Sequence, residues 1–422
     1  MSERLGFPWL GRAKLTEALR ARVAGGHGAL ALAGVLLLGG VRAQGALLVD
    51  LVDGKSLAAL GVSSKDGRRF SIAAAGSGER IVEARDLLSI HLGRVTPSEL
   101  PAIDLGGGDR LRGRITGGDP NGQWLEIASQ SLGRMRVLVD RIAAVRYRPS
   151  CPASRLRLPA GVDEALFRKA GIGLDLLSGT IHQFGARGVR FRPADSKDAL
   201  WFPAEDLVGV RIADPLSREA EPGVEISTRG GDRLGVELRS WVDGTLDLLL
   251  ENGERRALRE SDLACVLWST SKVAHLSALE PVSVSESGYD GPVVHPFRKD
   301  EGVLGGPLDG GGLAHARGLG VHSRSRLDFT VPPGARFFWT RVALDDSVRG
   351  LPLRPGARVE IRVDDETRLD RELTVEGGAV DSGRLPVEPG GRLSLIVDFG
   401  RGRDLGDRVV WLTPVFLLEP GT

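Results

Sequence analysis

Two aspartates and an arginine near the C-terminal end of the chain form the group with the clearest chemical potential. Asp345 and Asp346 follow a predicted strand and Arg349 comes three residues later, so all three are expected on one loop. Such carboxylates can cap a turn, coordinate a calcium ion or bind a sugar, and the sequence leaves these roles open. The arginine adds a planar donor that can hold a ligand through two parallel hydrogen bonds.

Four aromatic side chains could complete a binding site with this group: Tyr289, His322, Trp339 and Trp411. A sugar presents hydroxyl groups around an apolar ring face, so its site needs a flat aromatic surface beside hydrogen-bonding partners. Three of the four also have a structural interpretation. His322 could be bonded to backbone, and the two tryptophans lie within predicted strands and could pack in a core.

The elements that must position these residues are strands. Between residues 45 and 270 the chain shows short apolar runs of period two, separated by turn-forming pairs such as Asp66-Gly67, Asp243-Gly244 and Asn252-Gly253. In these pairs glycine or asparagine can adopt the positive φ that tight hairpins need. The pattern predicts an all-β protein.

Four segments of this region resemble one another: Leu87–Leu92, Ile142–Tyr147, Leu207–Ile212 and Leu263–Trp268. An aspartate directly precedes three of them, and a Gly-Asp-Arg-Leu turn occurs at 108–111 and again at 231–234. We interpret the region as repeated small β-barrel-like units with the plan of SH3-like or Sm-like barrels. The alternative is that the repeats pair as halves of two larger sandwiches.

These observations divide the chain into segments. The segments are a leader at 1–43, repeat units 1 and 2 at 45–149, a linker at 150–170, repeat units 3 and 4 at 171–269, a serine-rich linker at 270–287 and a C-terminal domain at 281–420. Within the first linker, Asp163 and Glu164 could open a short helix over residues 162–170.

The leader has the order of a secretory signal peptide. Several basic residues precede an apolar run from Ala29 to Val41, and Val41-Arg42-Ala43 follows as a small-residue cleavage site. The run falls short of the roughly 20 residues that span a bilayer. We expect export to the periplasm, cell surface or medium. The alternative is an uncleaved membrane anchor, and we expect contact with a membrane only through such an anchor.

Charge and cysteine content exclude several classes of partner. The chain contains 56 lysines and arginines against 55 acidic residues, so it has no global field for nucleic acid. Cys151 and Cys265 are its only cysteines and cannot build a structural zinc site unaided; they could pair or stay free.

The C-terminal domain carries the most specific sequence signal. Arg317-Gly-Leu-Gly-Val-His-Ser323 leads into a predicted strand. Further matching segments are Tyr289-Asp290, Phe337–Trp339 running to Val342–Asp346, Val359–Asp364, Leu393–Asp398 and Asp407–Trp411. In this order they resemble the NPCBM family of carbohydrate-binding modules. The resemblance implies a galactose-binding-like jelly-roll β-sandwich that binds glycans, including galactose-containing ones, often beside a structural calcium ion.

The domain departs from the family pattern at two places. Ala343 stands where glycine is commoner, and a proline-rich insert occupies Leu351 to Pro355. Both lie near the expected binding loops, so they bear on the site more than on the fold.

Short catalytic motifs are absent from the sequence, including the Gly-x-Ser-x-Gly elbow, the Walker loop and the His-Glu-x-x-His pair. We therefore expect an exported, non-catalytic protein that binds glycans or envelope polysaccharide. One alternative is a cell-envelope scaffold with protein partners. The other is a glycoside hydrolase with its site in the repeat region, since such enzymes need only two carboxylates and no local motif.

Overall fold

A computed structural model describes residues 47–76, 78–96, 98–148, 156–171, 173–218, 222–289, 293–352, 354–400 and 403–419. Within these ranges the regular structure consists of antiparallel strands and 3-10 helices of three residues, which confirms the all-β prediction. None of the described elements is a helix long and apolar enough to cross a membrane. The leader, Cys151 and Asp290 lie outside the described residues.

Twenty strands form the region before residue 270, in four groups of five. Unit 1 contains β1 Leu47–Leu51, β2 Ser56–Ser63, β3 Arg69–Ala74, β4 Gly78–Glu83 and β5 Leu87–His91. Unit 2 contains β6 Ala102–Leu105, β7 Arg110–Gly118, β8 Trp124–Ser129, β9 Gly133–Leu138 and β10 Ile142–Arg146. Unit 3 contains β11 Glu164–Ala170, β12 Gly173–Gly185, β13 Gly188–Pro193, β14 Leu200–Pro203 and β15 Leu207–Ile212. Unit 4 contains β16 Val224–Thr228, β17 Arg233–Val242, β18 Thr245–Leu250, β19 Arg255–Arg259 and β20 Leu263–Trp268.

All four units share one pairing pattern. The first strand of each pairs with the second and also with the last, while the second, third and fourth follow as a meander. The second strand has a register shift in every unit, between residues 59 and 61, 115 and 117, 181 and 183, and 238 and 240. Such an irregularity bends a strand, so it lets the meander curve round until the first and last strands meet. The four similar sequence segments are the four closing strands, and the comparison with SH3-like or Sm-like barrels stays a prediction.

The units also pair with one another through their closing strands. β5 pairs with β20 around Ile90 and Val266, and β10 pairs with β15 around Val145 and Val210. These four side chains are fully buried in a core that units 1 to 4 share. Each closing strand pairs with other strands on both edges and is covered by the protein on both faces. Its residues are therefore apolar almost throughout.

Units 2 and 4 contact each other reciprocally through their Gly-Asp-Arg-Leu turns. The Asp109 carboxylate accepts a hydrogen bond of 2.9 Å from the backbone N–H of Gly235, and the Asp232 carboxylate accepts one of 2.8 Å from that of Arg112. Each donor residue lies three residues beyond the aspartate of its own turn. The two turns therefore occupy equivalent positions in the two units.

The predicted helix at residues 162–170 is wrong, because Glu164–Ala170 is strand β11 of unit 3. Leu166 points into the shared core, whereas Ala165 and Phe167 pack in a separate cluster with Leu156 and Val208 on the other face. Three consecutive apolar residues can be buried this way in a strand that is covered on both faces. The sequence alone does not distinguish such a run from a short helix.

The C-terminal domain is a β-sandwich. Its strands are β21 Val273–His275, β22 Ser283–Glu286, β23 Arg298–Lys299, β24 Leu308–Gly310, β25 Leu313–His315, β26 Gly318–His322, β27 Ser325–Thr330, β28 Ala335–Leu344, β29 Gly356–Val363, β30 Glu366–Thr374, β31 Val380–Asp381, β32 Leu385–Pro386, β33 Arg392–Phe399 and β34 Arg408–Leu418. One sheet has the order β23-β26-β34-β28-β31, with β21 and β32 added, and the other has the order β22-β27-β33-β29-β30. The serine-rich segment expected as a linker contributes β21 and β22 to these two sheets.

Candidate functional site

A small pocket lies where the chain passes from β26 in one sheet to β27 in the other. Its main polar and aromatic lining residues are Glu286, Tyr289, His295, His322, Arg324 and Asp404. The pocket therefore brings two of the predicted site residues, Tyr289 and His322, onto one surface.

The aromatic surface of this pocket is held in place by a second ring. Tyr289 is 41% exposed, and its ring meets that of Phe399 edge to face at a centroid distance of 5.1 Å. The guanidinium of Arg403 lies 5.4 Å from the Tyr289 ring, and that of Arg324 lies 5.2 Å from the Phe399 ring. Arg324 is fixed in turn by an ion pair of 3.0 Å with Asp398.

Two histidines face each other beside this aromatic pair. The rings of His295 and His322 are 4.7 Å apart, and Nδ1 of His322 donates to the carbonyl of Ser323 at 2.9 Å. This bond leaves Nε2 of His322 for other partners. Burial, His322 and Arg408 lower the pKa of His295, which favours a neutral ring at pH 7. His322 thus bonds to backbone, as its structural interpretation expects, and it also lines the pocket.

A buried carboxylate, that of Asp407, is bonded to a residue that lines the pocket. Asp407 accepts a hydrogen bond of 2.8 Å from the hydroxyl of Ser323, a pocket residue. Burial raises the pKa of Asp407 to about 6, although that bond and backbone N–H groups of Gly400 and Gly356 favour its ionised form.

The predicted group Asp345, Asp346 and Arg349 lies elsewhere, against the repeat units. Asp345 caps a 3-10 turn by accepting from the backbone N–H of Ser347 at 2.8 Å. The side chain of Asp346 is 5% exposed and pairs with Arg349 at 2.5 Å and with Arg94, from the segment after unit 1, at 2.8 Å. These carboxylates are therefore satisfied within the protein.

The calcium role considered for these aspartates finds no support in the described residues. Asp309 lies close to Asp345 and Asp346, and burial together with these two charges raises the pKa of Asp309 to about 8. Two arginines already compensate Asp346, and across the described ranges no three His, Cys, Asp or Glu side chains converge as metal ligands. Calcium prefers six to eight oxygens.

The two predicted tryptophans are core residues. Trp339 on β28 and Trp411 on β34 are both fully buried. Trp339 packs between the sandwich and the repeat units, and its Nε1 donates to Asp381 at 3.1 Å. Trp411 belongs to the sandwich core. Neither ring lines the pocket, which agrees with their structural interpretation.

Sequence reasoning missed His295, Arg324, Asp404 and Glu286. His295 lies alone in a loop, and its partner His322 comes 27 residues later, so spacing gives no signal. Arg324 directly follows the Arg317–Ser323 motif and could have been found from that position.

A buried polar network joins the repeat units to the sandwich. Arg341 on β28 forms hydrogen bonds of 2.8 and 2.7 Å with the two carboxylate oxygens of Asp50 in unit 1. His91 is fully buried; its Nε2 bonds to Asp50 at 3.0 Å and its Nδ1 to the carbonyl of Ala314 in the sandwich at 2.9 Å. The thiol of Cys265 lies 3.6 Å from that Nδ1. Cysteine, histidine and aspartate in this order resemble a catalytic triad, but all three side chains are buried with no exposed surface.

The sandwich can now be compared with known domains. Its β26 carries the Arg317–Ser323 motif, and its strands start at Val273 rather than at residue 281. Residues 272–417 match the NPCBM/NEW2 domain family. The match confirms the resemblance noted in the sequence and includes most of the segment that was expected to be a linker. The NPCBM domain is thus about the C-terminal third of the chain.

Solved structures similar to this chain include carbohydrate-binding modules. One is the CBM51 of Clostridium perfringens GH95 in complex with methyl-galactose, with 22% identity, a TM-score of 0.30 and coverage of 34% of this chain and 99% of that one. Another is the tandem CBM51 pair of Sp3GH98, a family 98 glycoside hydrolase from Streptococcus pneumoniae SP3-BS71, with 12% identity, a TM-score of 0.31 and coverage of 83% and 88%. No curated protein matches the chain at a significant level.

Proposed function

We propose that this is an exported, non-catalytic protein that binds glycans through the pocket of its NPCBM domain. The observation that carries the proposal is the grouping of Tyr289, His295, His322, Arg324 and Asp404 around one opening of the sandwich. Galactose-containing glycans are the first candidates because the family resemblance suggests them, and envelope polysaccharides are candidates because export is expected.

The chemistry of the pocket fits a neutral sugar. The exposed ring of Tyr289 can pack against the apolar face of a pyranose, and its contact with Phe399 keeps it in one orientation. Asp404 offers an acceptor for hydroxyl groups, Arg324 offers planar donors, and Nε2 of His322, opposite the donating Nδ1, offers an acceptor. An aromatic surface with donors and acceptors at its edge is the arrangement that sugar recognition requires.

A non-catalytic role is favoured by how the clefts of the repeat region are built. The cleft between units 2 and 4 contains Asp109 and Glu251, the two carboxylates a glycosidase would need. Arg218 pairs with Asp109 and Arg141 pairs with Glu251. Ion pairs of this kind occupy both carboxylates, which suits a structural role better than proton transfer.

A protein scaffold remains the second candidate because of one edge in unit 3. Among the described strands β14 pairs only with β13, and its Leu200 and Trp201 are 51% and 46% exposed. An open edge with exposed apolar residues can accept a strand from a partner protein. Affinity capture from an envelope fraction separates the two roles, since a scaffold retains proteins after glycans have been removed.

Glycan binding is tested by calorimetric titration of the full chain with galactosides and a broad glycan panel. The change Tyr289→Ala removes the aromatic surface, and we expect it to weaken binding about tenfold or more. Trp201→Ala is the matched control, because Trp201 is similarly exposed but lies in unit 3. Absence of binding across the panel, or equal loss in both variants, contradicts the proposal.

Export is tested separately by sequencing the N-terminus of the protein isolated from cells. A mature chain that starts near residue 44 in an extracytoplasmic fraction is the expected result. A chain that retains residues 1–43 and sediments with membranes indicates the uncleaved anchor.

A further inference from the structure

A second cavity lies at the junction of units 2 and 4 with the NPCBM domain, away from the proposed glycan pocket. Its lining includes apolar residues such as Val95 and Leu308. Two repeat units and the sandwich supply its polar residues, which are Arg110, Arg112, Ser227, Asp232, Arg233, Asp300 and His315.

Arg112 is buried in this cavity without a carboxylate partner. Its residue is 9% exposed, and its Nε has no hydrogen-bond partner. Its guanidinium has one long bond, 3.3 Å from Nη1 to the carbonyl of Ser98, and no carboxylate oxygen of the described residues lies within 4.0 Å of it. A buried charge normally needs a partner, because its loss of hydration is otherwise uncompensated.

Neighbouring charged groups also act on the guanidinium of Arg112. Burial and the nearby guanidinium groups of Arg110 and Arg146 lower the pKa of Arg112 to about 10, although the charges of Asp104 and Asp232 oppose the shift. Arg110 and Arg146 share the carboxylates of Asp104 and Glu301 with each other. Arg112 is left without a direct ion pair among the described residues.

The two carboxylates that line the cavity are also engaged. Asp232 accepts hydrogen bonds from the backbone N–H of Arg112 and from the hydroxyls of Ser129 and Thr228. Asp300 is paired with Arg317 at 2.8 Å and accepts from a backbone N–H. Neither forms a direct ion pair with the guanidinium of Arg112, although the charge of Asp232 favours its protonated form.

The repeat itself does not require an arginine at this position. Arg112 and Gly235 are equivalent, since each follows a Gly-Asp-Arg-Leu turn and donates its backbone N–H to the aspartate of the other turn. The structural bond comes from the backbone and is made by glycine in unit 4. The side chain of Arg112 is therefore not needed for the contact between the two turns.

We propose that this cavity binds a small oxyanion group, phosphate, sulfate or carboxylate, with the guanidinium of Arg112 as its main ligand. An oxyanion can accept two parallel hydrogen bonds from a guanidinium and would give Arg112 the direct charged partner that it lacks among the described residues. The group can come from a free anion or from an acidic sugar. This site is independent of glycan binding at the Tyr289 pocket.

The test is a titration of the full chain in anion-poor buffer with inorganic phosphate, inorganic sulfate and galacturonate, each in a separate arm. We expect saturable one-to-one binding and a melting temperature that rises with anion concentration. Arg112→Gln should weaken binding by about tenfold or more, whereas Arg114→Gln, an exposed position on the same strand, should leave it unchanged.

The arms also identify the source of the anion. Tighter binding of galacturonate than of phosphate and sulfate indicates an acidic sugar, and the reverse order indicates a free anion. Should Arg112→Gln fail to fold, Arg112→Lys retains the charge but loses the planar fork, and weaker binding is again expected. No saturable binding by the wild-type chain, or unchanged binding by a folded Arg112 variant, overturns the proposal. Neither result depends on whether Tyr289→Ala affects galactosides.

Discussion

Two regions of the sandwich carry polar residues of similar types, but one surrounds an open pocket and the other is covered by the repeat region. At the Tyr289 pocket the side chains of His322 and Arg324 surround an open space. At the Asp346 cluster, Arg94 from the repeat region pairs with the carboxylate, which is 5% exposed. A carboxylate and an arginine on a loop therefore indicate a ligand site only where no neighbouring domain covers them.

The covered region extends from this cluster to the network around Asp50. Arg341 of the sandwich and His91 of unit 1 both bond to the Asp50 carboxylate, and none of the three is appreciably exposed. An apolar cluster that includes Leu88 and Trp339 adjoins them. We infer that the sandwich and the repeat units form one joined structure.

The largest expected effect comes from breaking this junction with Arg341→Met. The change leaves the Asp50 carboxylate buried with only His91 and hydroxyl partners, and removing one member of a buried ion pair costs about 3–5 kcal/mol. The free energy of unfolding from urea titration should fall by this amount.

Two controls separate this effect from general damage. Arg336→Met removes an exposed arginine that pairs with Glu419 and should change stability little. The double variant Asp50→Leu and Arg341→Met should recover much of the loss, since an apolar pair replaces both charges. If Arg341→Met behaves like Arg336→Met, the junction is not a buried ion pair in solution.

A smaller effect is expected from the pH dependence of the same network. Burial alone would lower the pKa of His91, but Cys265 and Asp50 outweigh it and raise the pKa to about 10. The protonated ring therefore stabilises the folded chain fully below about pH 6.5, and this contribution is lost as the pH rises toward 10.

This dependence is measured from unfolding free energies between pH 6 and 10. The wild-type chain should lose more stability over this window than His91→Asn. Cys265→Ala, which removes one cause of the raised pKa, should shift the loss to lower pH. Identical slopes for the wild type and His91→Asn contradict a charged His91.

Much of the fold could be predicted because local patterns determine it. The alternation of apolar residues and the Gly-Asp turns indicated strands, and the likeness of segments such as Leu87–Leu92 and Leu263–Trp268 indicated the repeat. The helix predicted at 162–170 was wrong because Ala165, Leu166 and Phe167 are buried on two faces. Only the neighbouring strands reveal that, and they are distant in sequence.

The site was harder to predict because long-range contacts decide it. Tyr289 and His322 were identified from residue type and line the pocket, but so were Trp339 and Trp411, which are buried. Arg94, which covers Asp346, lies more than 250 residues before it. No local pattern indicates that a distant segment covers a loop.

The most direct test of this comparison is calorimetric titration of the full chain with the best glycan from the panel, using Tyr289→Ala and Arg349→Ala side by side. Arg349 is 38% exposed at its side chain and belongs to the covered cluster. We expect Tyr289→Ala to weaken binding about tenfold or more and Arg349→Ala to bind like the wild type. Loss of binding in Arg349→Ala with wild-type affinity in Tyr289→Ala would contradict the account.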